Sequence, residues 1–179
     1  MANKQALREL QTRLAERMQA ARTQPRSQAW LAVECRGHGL LLPLEQAGEI
    51  FALAPLLAVP HSQPWFAGVA NLRGGLHGVV DLARFLGLPD AAAVDAGREQ
   101  ARLIAFGAAL GLNGALLVDR LAGLRGSDQL RSQTDSAAEA TAARPAFAPT
   151  RWLDAAGRSW QAIDLAALSR DARFLSIVA

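Results

Sequence analysis

The sequence predicts a mainly β protein made of two related halves, each a small barrel closed by a short helix, with an α-helix in front of them. Three observations carry this expectation. Over most of the chain, apolar residues alternate in short runs separated by glycine turns, which is the period of strands. A strand, an aspartate and a helical pattern follow one another twice, at Val79-Val80-Asp81-Leu82-Ala83-Arg84-Phe85-Leu86 and at Ala162-Ile163-Asp164-Leu165-Ala166-Ala167-Leu168-Ser169. A longer helical period occurs near the N-terminus, where Leu7, Leu10, Leu14, Met18 and Ala21 form one narrow apolar stripe.

That stripe predicts a helix over residues 3–22, ended by Gln24-Pro25-Arg26-Ser27, since the residue before a proline disfavours helical torsions. Residues 1–28 then form a basic helix and linker, which either docks on its own domain or faces a partner. The stripe is too narrow to anchor a membrane by itself. From Ala29 the period becomes two. Trp30, Ala32 and Glu34 face one way and Leu31, Val33 and Cys35 the other, and Gly37-His38-Gly39 turns the chain into Leu40-Leu41-Leu42-Pro43. Ile50 to Val59 reads as a further strand with a proline-interrupted edge.

The central stretch follows. Trp65 and Phe66 are an aromatic anchor, a short apolar run leads to a tight turn at Asn71-Leu72-Arg73-Gly74-Gly75, and Val79-Val80 feeds Asp81 and a helix. Glycine supplies the positive φ of such a turn at little cost, and Asp81 has the place of an N-cap. Beyond a small-residue connector from Pro89 to Arg98, residues 101–106 read as a strand, Gly107 to Gly111 as a turn, and Gly114 to Leu124 as two strands. Residues 127–149 hold almost no large apolar group apart from Leu130 and Phe147, which predicts a long mobile loop. Strand patterns return at Arg151-Trp152-Leu153 and, past a Gly157 turn, at Trp160.

A chain of 179 residues is one domain or two intimate subdomains. Its net charge of +3 is uneven, with +4 in residues 1–28 and −1 in the rest. No dense basic patch is interleaved with aromatics, which weighs against a nucleic-acid surface. No run reaches the ~20 apolar residues of a membrane span, and the N-terminus lacks a signal-peptide core, so the expected location is the cytoplasm. Cys35 is the single cysteine, which excludes an internal disulfide and a thiolate metal cluster and predicts a buried small hydrophobe.

The chemistry of catalysis is not apparent. His38, His61 and His77 lack the spacing of a metal set, no Gly-x-Ser-x-Gly elbow exists, and Gly111/Gly114 lack the Lys-Ser/Thr of a phosphate loop. Asp81 and Asp164 could be paired carboxylates, but their shared place before a helix predicts capping. The expectation is a non-enzyme without metal or cofactor. Arg73 stands out. It either ties down its turn through carbonyls or a carboxylate, or meets a partner through its planar guanidinium.

The stretch Phe66-Ala67-Gly68-Val69-Ala70-Asn71-Leu72-Arg73-Gly74-Gly75-Leu76-His77-Gly78-Val79-Val80-Asp81-Leu82 resembles the signature of the CheW-like domain family of bacterial chemosensory coupling proteins, which has the form F-x-G-V-x-N-L-R-G-x-apolar-x-P-apolar-apolar-D-L. It departs from that signature at His77, where an apolar residue is usual, and at Gly78, where proline is usual. Leu44-Glu45-Gln46-Ala47-Gly48-Glu49-Ile50 and Gly114 to Leu124 resemble two further motifs of the family, and the resemblance covers residues 29–170, leaving 171–179 as a tail.

The resemblance implies two five-stranded SH3-like barrels side by side, acting as a non-enzymatic adaptor. One surface would bind the CheW-like regulatory domain of a chemosensory histidine kinase, and another the cytoplasmic hairpin tip of a chemoreceptor, in an apolar groove between the barrels. Leu31, Val33, Asn71, Leu72, Arg73, Gly74 and Leu76 are the candidate contacts. The adaptor would be cytoplasmic, recruited to membrane-associated arrays without inserting into the membrane, with weak self-association in mixed rings. The basic N-terminal segment, the diverged signature and the long insertion resemble couplers of type IV pilus twitching motility more than flagellar chemotaxis couplers. Two rivals remain: a nucleic-acid-binding small β-barrel, and a diverged coupler that keeps the kinase but has lost the receptor.

Overall fold

A computed structural model of the protein describes residues 28–89, 98–133 and 144–179. The predicted N-terminal helix over residues 3–22 lies outside them, as does most of the connector after Pro89. The described chain is mainly β, in two sheets. The six-stranded sheet has the order β8-β1-β2-β11-β10-β9 and the five-stranded sheet the order β3-β6-β7-β5-β4. The first comprises β1 (Ala29–Cys35), β2 (His38–Pro43), β8 (Arg120–Gly126), β9 (Leu130–Gln133), β10 (Arg151–Asp154) and β11 (Ser159–Ala162). The second comprises β3 (Ala47–Ala52), β4 (Phe66–Leu72), β5 (Gly75–Asp81), β6 (Arg102–Phe106) and β7 (Gly114–Val118).

The two halves are therefore interleaved. The chain leaves the first sheet after β2, builds the whole second sheet, and returns through Asp119, whose carboxylate accepts the Arg36 backbone N–H. Its own N–H donates to the Glu34 carbonyl at 3.0 Å. The two strands read between Gly114 and Leu124 exist, but they belong to different sheets.

The expected five strands in each half are corrected in the first sheet, which has six. Part of the segment read as loop is the cause: a 3₁₀ turn at Ser127–Gln129 runs directly into β9. Leu130, one of that segment's two large apolar residues, is buried with Trp30 and Trp160, and this anchor holds β9 against β10. Phe147, the other, is buried in the central core. Two well-placed apolar side chains outweigh a polar composition, because each contributes about 1.5–3 kcal/mol on full burial.

The alternation in β1 divides the interior into layers. Trp30 and Ala32 point into the first half with Leu41, Leu130 and Trp160. Leu31, Val33 and Cys35 point the other way, into a core shared with Val80, Ile104, Leu116 and Val118 of the second sheet. That second sheet keeps its own interior of Ala70, Leu72, Val79, Leu103 and Ala115. Cys35 is a buried free thiol whose ionisation is pushed up by burial and by the nearby Asp119 charge.

The repeated aspartates cap helices as expected. Asp81 Oδ1 accepts the Arg84 N–H at 3.0 Å ahead of helix α1 (Leu82–Phe85). Asp164 Oδ1 accepts the Ala166 and Ala167 N–H groups at 2.9 and 3.0 Å ahead of α2 (Leu165–Leu168). Trp65 stands edge-on to Phe85 of α1 at 5.2 Å and is stacked on Phe174 of α3 (Ala172–Leu175) at 6.3 Å. All three helices and the aromatic anchor thus pack on the core between the sheets.

The strand read over Ile50 to Val59 starts and stops earlier, as β3. Beyond Ala52 the chain carries Pro55 and Pro60, which cannot donate to a ladder, and it keeps two isolated bridges, Leu57 to Val69 and Ser62 to Val178. The first brings the chain leaving β3 against the outer edge of β4. Gly68 permits it. Its φ is +125°, and a Cβ there would lie 2.3 Å from the Leu57 carbonyl oxygen.

Candidate functional site

The β4–β5 hairpin presents the candidate site. Arg73 and Gly74 form its two-residue tip, with φ of +49° and +82°. Such a pair of left-handed residues matches the twist of the flanking strands. The expectation that the two glycines supply the positive φ is thus corrected by one position: Arg73 takes it and Gly75 does not. The Asn71 side-chain Oδ1 accepts the Gly74 N–H at 2.8 Å and pins the turn. A non-glycine residue in this region costs roughly 1–2 kcal/mol.

Arg73 does not recover that cost through a strong fold contact. Its Nη2 lies 2.7 Å from Oε1 of Glu49, but the side chains are 76% and 40% exposed. An ion pair so open to water contributes about 0–1 kcal/mol. Glu49 belongs to β3, at the far end of the sheet order from β4, so the pair reaches across where the sheet curls round. A strained residue with an exposed, weakly held head is the pattern of a site kept for something outside the fold.

An apolar face adjoins this tip. Residues opposite one another in a ladder share a face. Leu57 opposes Val69, Val69 opposes Gly78, and Asn71 opposes Leu76. Leu57 and Leu76 are 72% and 65% exposed. Gly78 lies between them without a side chain, and its missing Cβ would lie 3.2 Å from the Phe66 ring. Its N–H donates to the Asn113 carbonyl at 3.0 Å, a bond that the family's usual proline could not make. His77 Nδ1–H donates to the Gly75 carbonyl at 3.0 Å, so the second departure braces the hairpin from the half-buried side.

The candidate contacts divide. Asn71, Arg73, Gly74 and Leu76 come together on the hairpin. Leu31, Val33 and Leu72 do not join them, because all three are buried. The space between the sheets at Leu31 and Val33 is packed core, with no open groove at those side chains. Strand alternation alone could not say which face of β1 met the other half. Glu49, which pairs with Arg73, and Leu57, which opposes Val69 on the face that Leu76 shares, are not among the candidate contacts. The Glu-Ile pair of the 44–50 motif pointed to the first, and no pattern pointed to Leu57.

Glu34 is a second residue whose role the sequence hid. It is a buried carboxylate held by Arg120 Nε at 2.8 Å and Arg158 Nη1 at 2.6 Å. Burial pushes its pKa up, but the hydrogen bonds and charges of Arg158 and Arg120 outweigh that and hold it below the usual value. The Arg158 guanidinium also lies over the Trp160 ring, 4.5 Å from its centroid. This cluster ties β1 to β8 and to the β10–β11 turn. Among the described residues no group of three or more His, Cys, Asp and Glu could hold a metal ion, and no helix is long and apolar enough to cross a membrane.

Two interleaved β halves joined by a shared core, with an exposed Arg-Gly hairpin tip beside an apolar sheet face, define a domain whose described surface is suited to binding. The chain belongs to the CheW-like domain family, whose model matches residues 29–173. Among solved structures it is similar to the scaffolding protein TtCheW from Thermoanaerobacter tengcongensis, with a TM-score of 0.60 and 16% sequence identity over 76% of this chain and 88% of that one. Among curated proteins no relative matches.

Proposed function

We propose that this protein is a non-enzymatic adaptor that couples a chemoreceptor to a chemosensory histidine kinase, in the signalling system of type IV pilus twitching motility. The observation that carries the reading is Arg73, held in a strained left-handed turn, exposed, and set beside the apolar face of Leu57 and Leu76. Family membership and the likeness to a protein described as a scaffold support the same reading. A guanidinium beside apolar side chains is the composition of an interface centre. Asn71 and Gly74 hold the turn, Leu76 and Leu57 supply burial, and Arg73 supplies a directional contact. The adaptor works in the cytoplasm at membrane-associated arrays. It fixes the kinase relative to the receptor, and receptor state biases the kinase through different affinities for its two states. The basic N-terminal segment and the diverged His77-Gly78 signature favour the pilus system over the flagellar one.

The test is capture from a lysate of the source organism with the full chain as bait, read by mass spectrometry. Recovery of a multidomain histidine kinase with a pilus-linked chemoreceptor is the expected result. A flagellar receptor would move the protein to that system, and a kinase alone would mark a coupler without a receptor. Nucleic acid surviving a moderate-salt wash, with no kinase, would overturn the adaptor reading.

A further inference from the structure

One face of the first sheet runs past the second sheet that covers it. Opposed residues of a ladder share a face. Leu31 and Val33 of β1, buried in the shared core, oppose Leu42 and Leu40 on one side and Leu124 and Leu121 on the other. A register shift between Ala32 and Val33 keeps Leu121 and Leu124 on that one face despite their odd spacing. Leu40 and Leu42 are buried, whereas Leu121 and Leu124 are exposed. Leu44 continues the same face past the end of β2, where its N–H donates to the Ala29 carbonyl at 2.9 Å, and it too is exposed.

We propose that this margin of Leu44, Leu121 and Leu124 seats the chain's own N-terminal segment, residues 3–22, through the stripe of Leu7, Leu10, Leu14 and Met18. The point of entry favours this occupant. Gln28, the first described residue, is fixed beside the margin: its carbonyl accepts the Ser127 N–H at 3.1 Å, and Ala29 after it lies between Leu44 and Gly126. Residues 22–27 join the stripe to Gln28 and can span about 20 Å, enough for the chain to turn back over β8. A tether this short also keeps the segment at a high effective concentration.

Charge points the same way. Residues 1–28 carry +4. The margin is bordered by exposed Glu45, next to Leu44, and by exposed Asp128, in the 3₁₀ turn after β8. The β8 arginines lie on the other face, since Arg120 opposes Glu34 and Arg125 opposes Trp30. Leucines flanked by arginines thus meet apolar side chains with carboxylates at the rim. A helix of about 20 residues is marginal alone in water, and burial of its apolar stripe is what stabilises it. The margin shares no residue with the Arg73 hairpin, so this proposal and the adaptor reading stand or fall separately.

Hydrogen exchange of the full chain, read by mass spectrometry at two concentrations about a hundredfold apart, tests the seat. Amides of residues 7–21 are expected to exchange about tenfold or more slower than an unstructured chain, equally at both concentrations. Leu44→Asp with Leu124→Asp brings them to within about twofold of the unstructured rate, while the strands keep their protection because both side chains are exposed. In a Leu124→Cys variant, adding Leu10→Asp and Leu14→Asp speeds maleimide labelling of the introduced thiol by about tenfold, with Cys35 buried and silent. Unprotected residues 7–21 in the parent, protection that survives Leu44→Asp with Leu124→Asp, or labelling indifferent to the stripe would overturn the proposal. Protection that grows with concentration would overturn it in favour of a second copy of the chain.

Discussion

Arg73 and Glu49 meet at 2.7 Å although their strands, β4–β5 and β3, lie at opposite ends of the sheet order. The pair is exposed and the Arg73 backbone is left-handed, so the fold gains little from this arginine and bears the cost of its conformation. Two substitutions separate the effects. Arg73→Ala shifts the thermal melt by no more than about 1 kcal/mol, the value of an exposed ion pair. Arg73→Gly removes the φ strain and stabilises by a few tenths to about 1 kcal/mol. Both weaken partner capture, measured as affinity per folded molecule. A large loss of melting temperature in Arg73→Ala, with capture intact, would show that the arginine serves the turn.

Leu57 and Leu76 share the face beside that pair and lose little water on folding. Leu57→Asp and Leu76→Asp therefore leave urea midpoints within about 0.5 kcal/mol of the parent. Each lowers capture of the kinase or receptor by tenfold or more, since a charge enters a desolvated contact. Unaltered capture by both variants would move the interface elsewhere.

Gly68 is fixed by the backbone of its neighbour. With φ of +125° and a Cβ position 2.3 Å from the Leu57 carbonyl oxygen, Gly68→Ala must break the Leu57–Val69 bridge. The expected loss is roughly 2–4 kcal/mol in a urea titration. Gly74→Ala, where the Cβ meets nothing within 4 Å, bears only the φ penalty and loses about 1 kcal/mol.

Glu34 makes acid stability a measurable property of the first half. Burial raises its folded pKa, but Arg158 and Arg120 outweigh that and hold it below the ordinary glutamate value. The carboxylate's contribution is therefore complete above the unfolded pKa and drains as the pH falls towards the folded one. Glu34→Gln lowers stability by about 1–3 kcal/mol at neutral pH, moderated by the partial exposure of both arginines. It also flattens the acid limb below pH ~4.5. Paired melts of the two proteins across that range check both statements.

Much of the candidate site was legible because hairpins are local. Asn71, Arg73 and Gly74 are contiguous in sequence, and the turn that exposes them follows from a two-residue loop between apolar runs. Leu31 and Val33 were misplaced for a corresponding reason. Alternation establishes that they share a face, but the identity of the layer opposite is a property of the other sheet. The buried fate of Leu72 follows from the alternation within β4, where it points with Ala70 into the second interior.

The amino-acid sequence by itself determined the family, the mainly β class, the two Asp-capped helices and the place of the hairpin tip, since each depends on residues within a few positions of one another. Tertiary structure decided the rest. It interleaved the halves, added β9 around Leu130, buried one face of β1 between the sheets, and joined Glu49 to Arg73 and Glu34 to two distant arginines. Those pairings depend on how the sheets curl and stack, and curvature brings together groups whose separation along the chain carries no signal of contact.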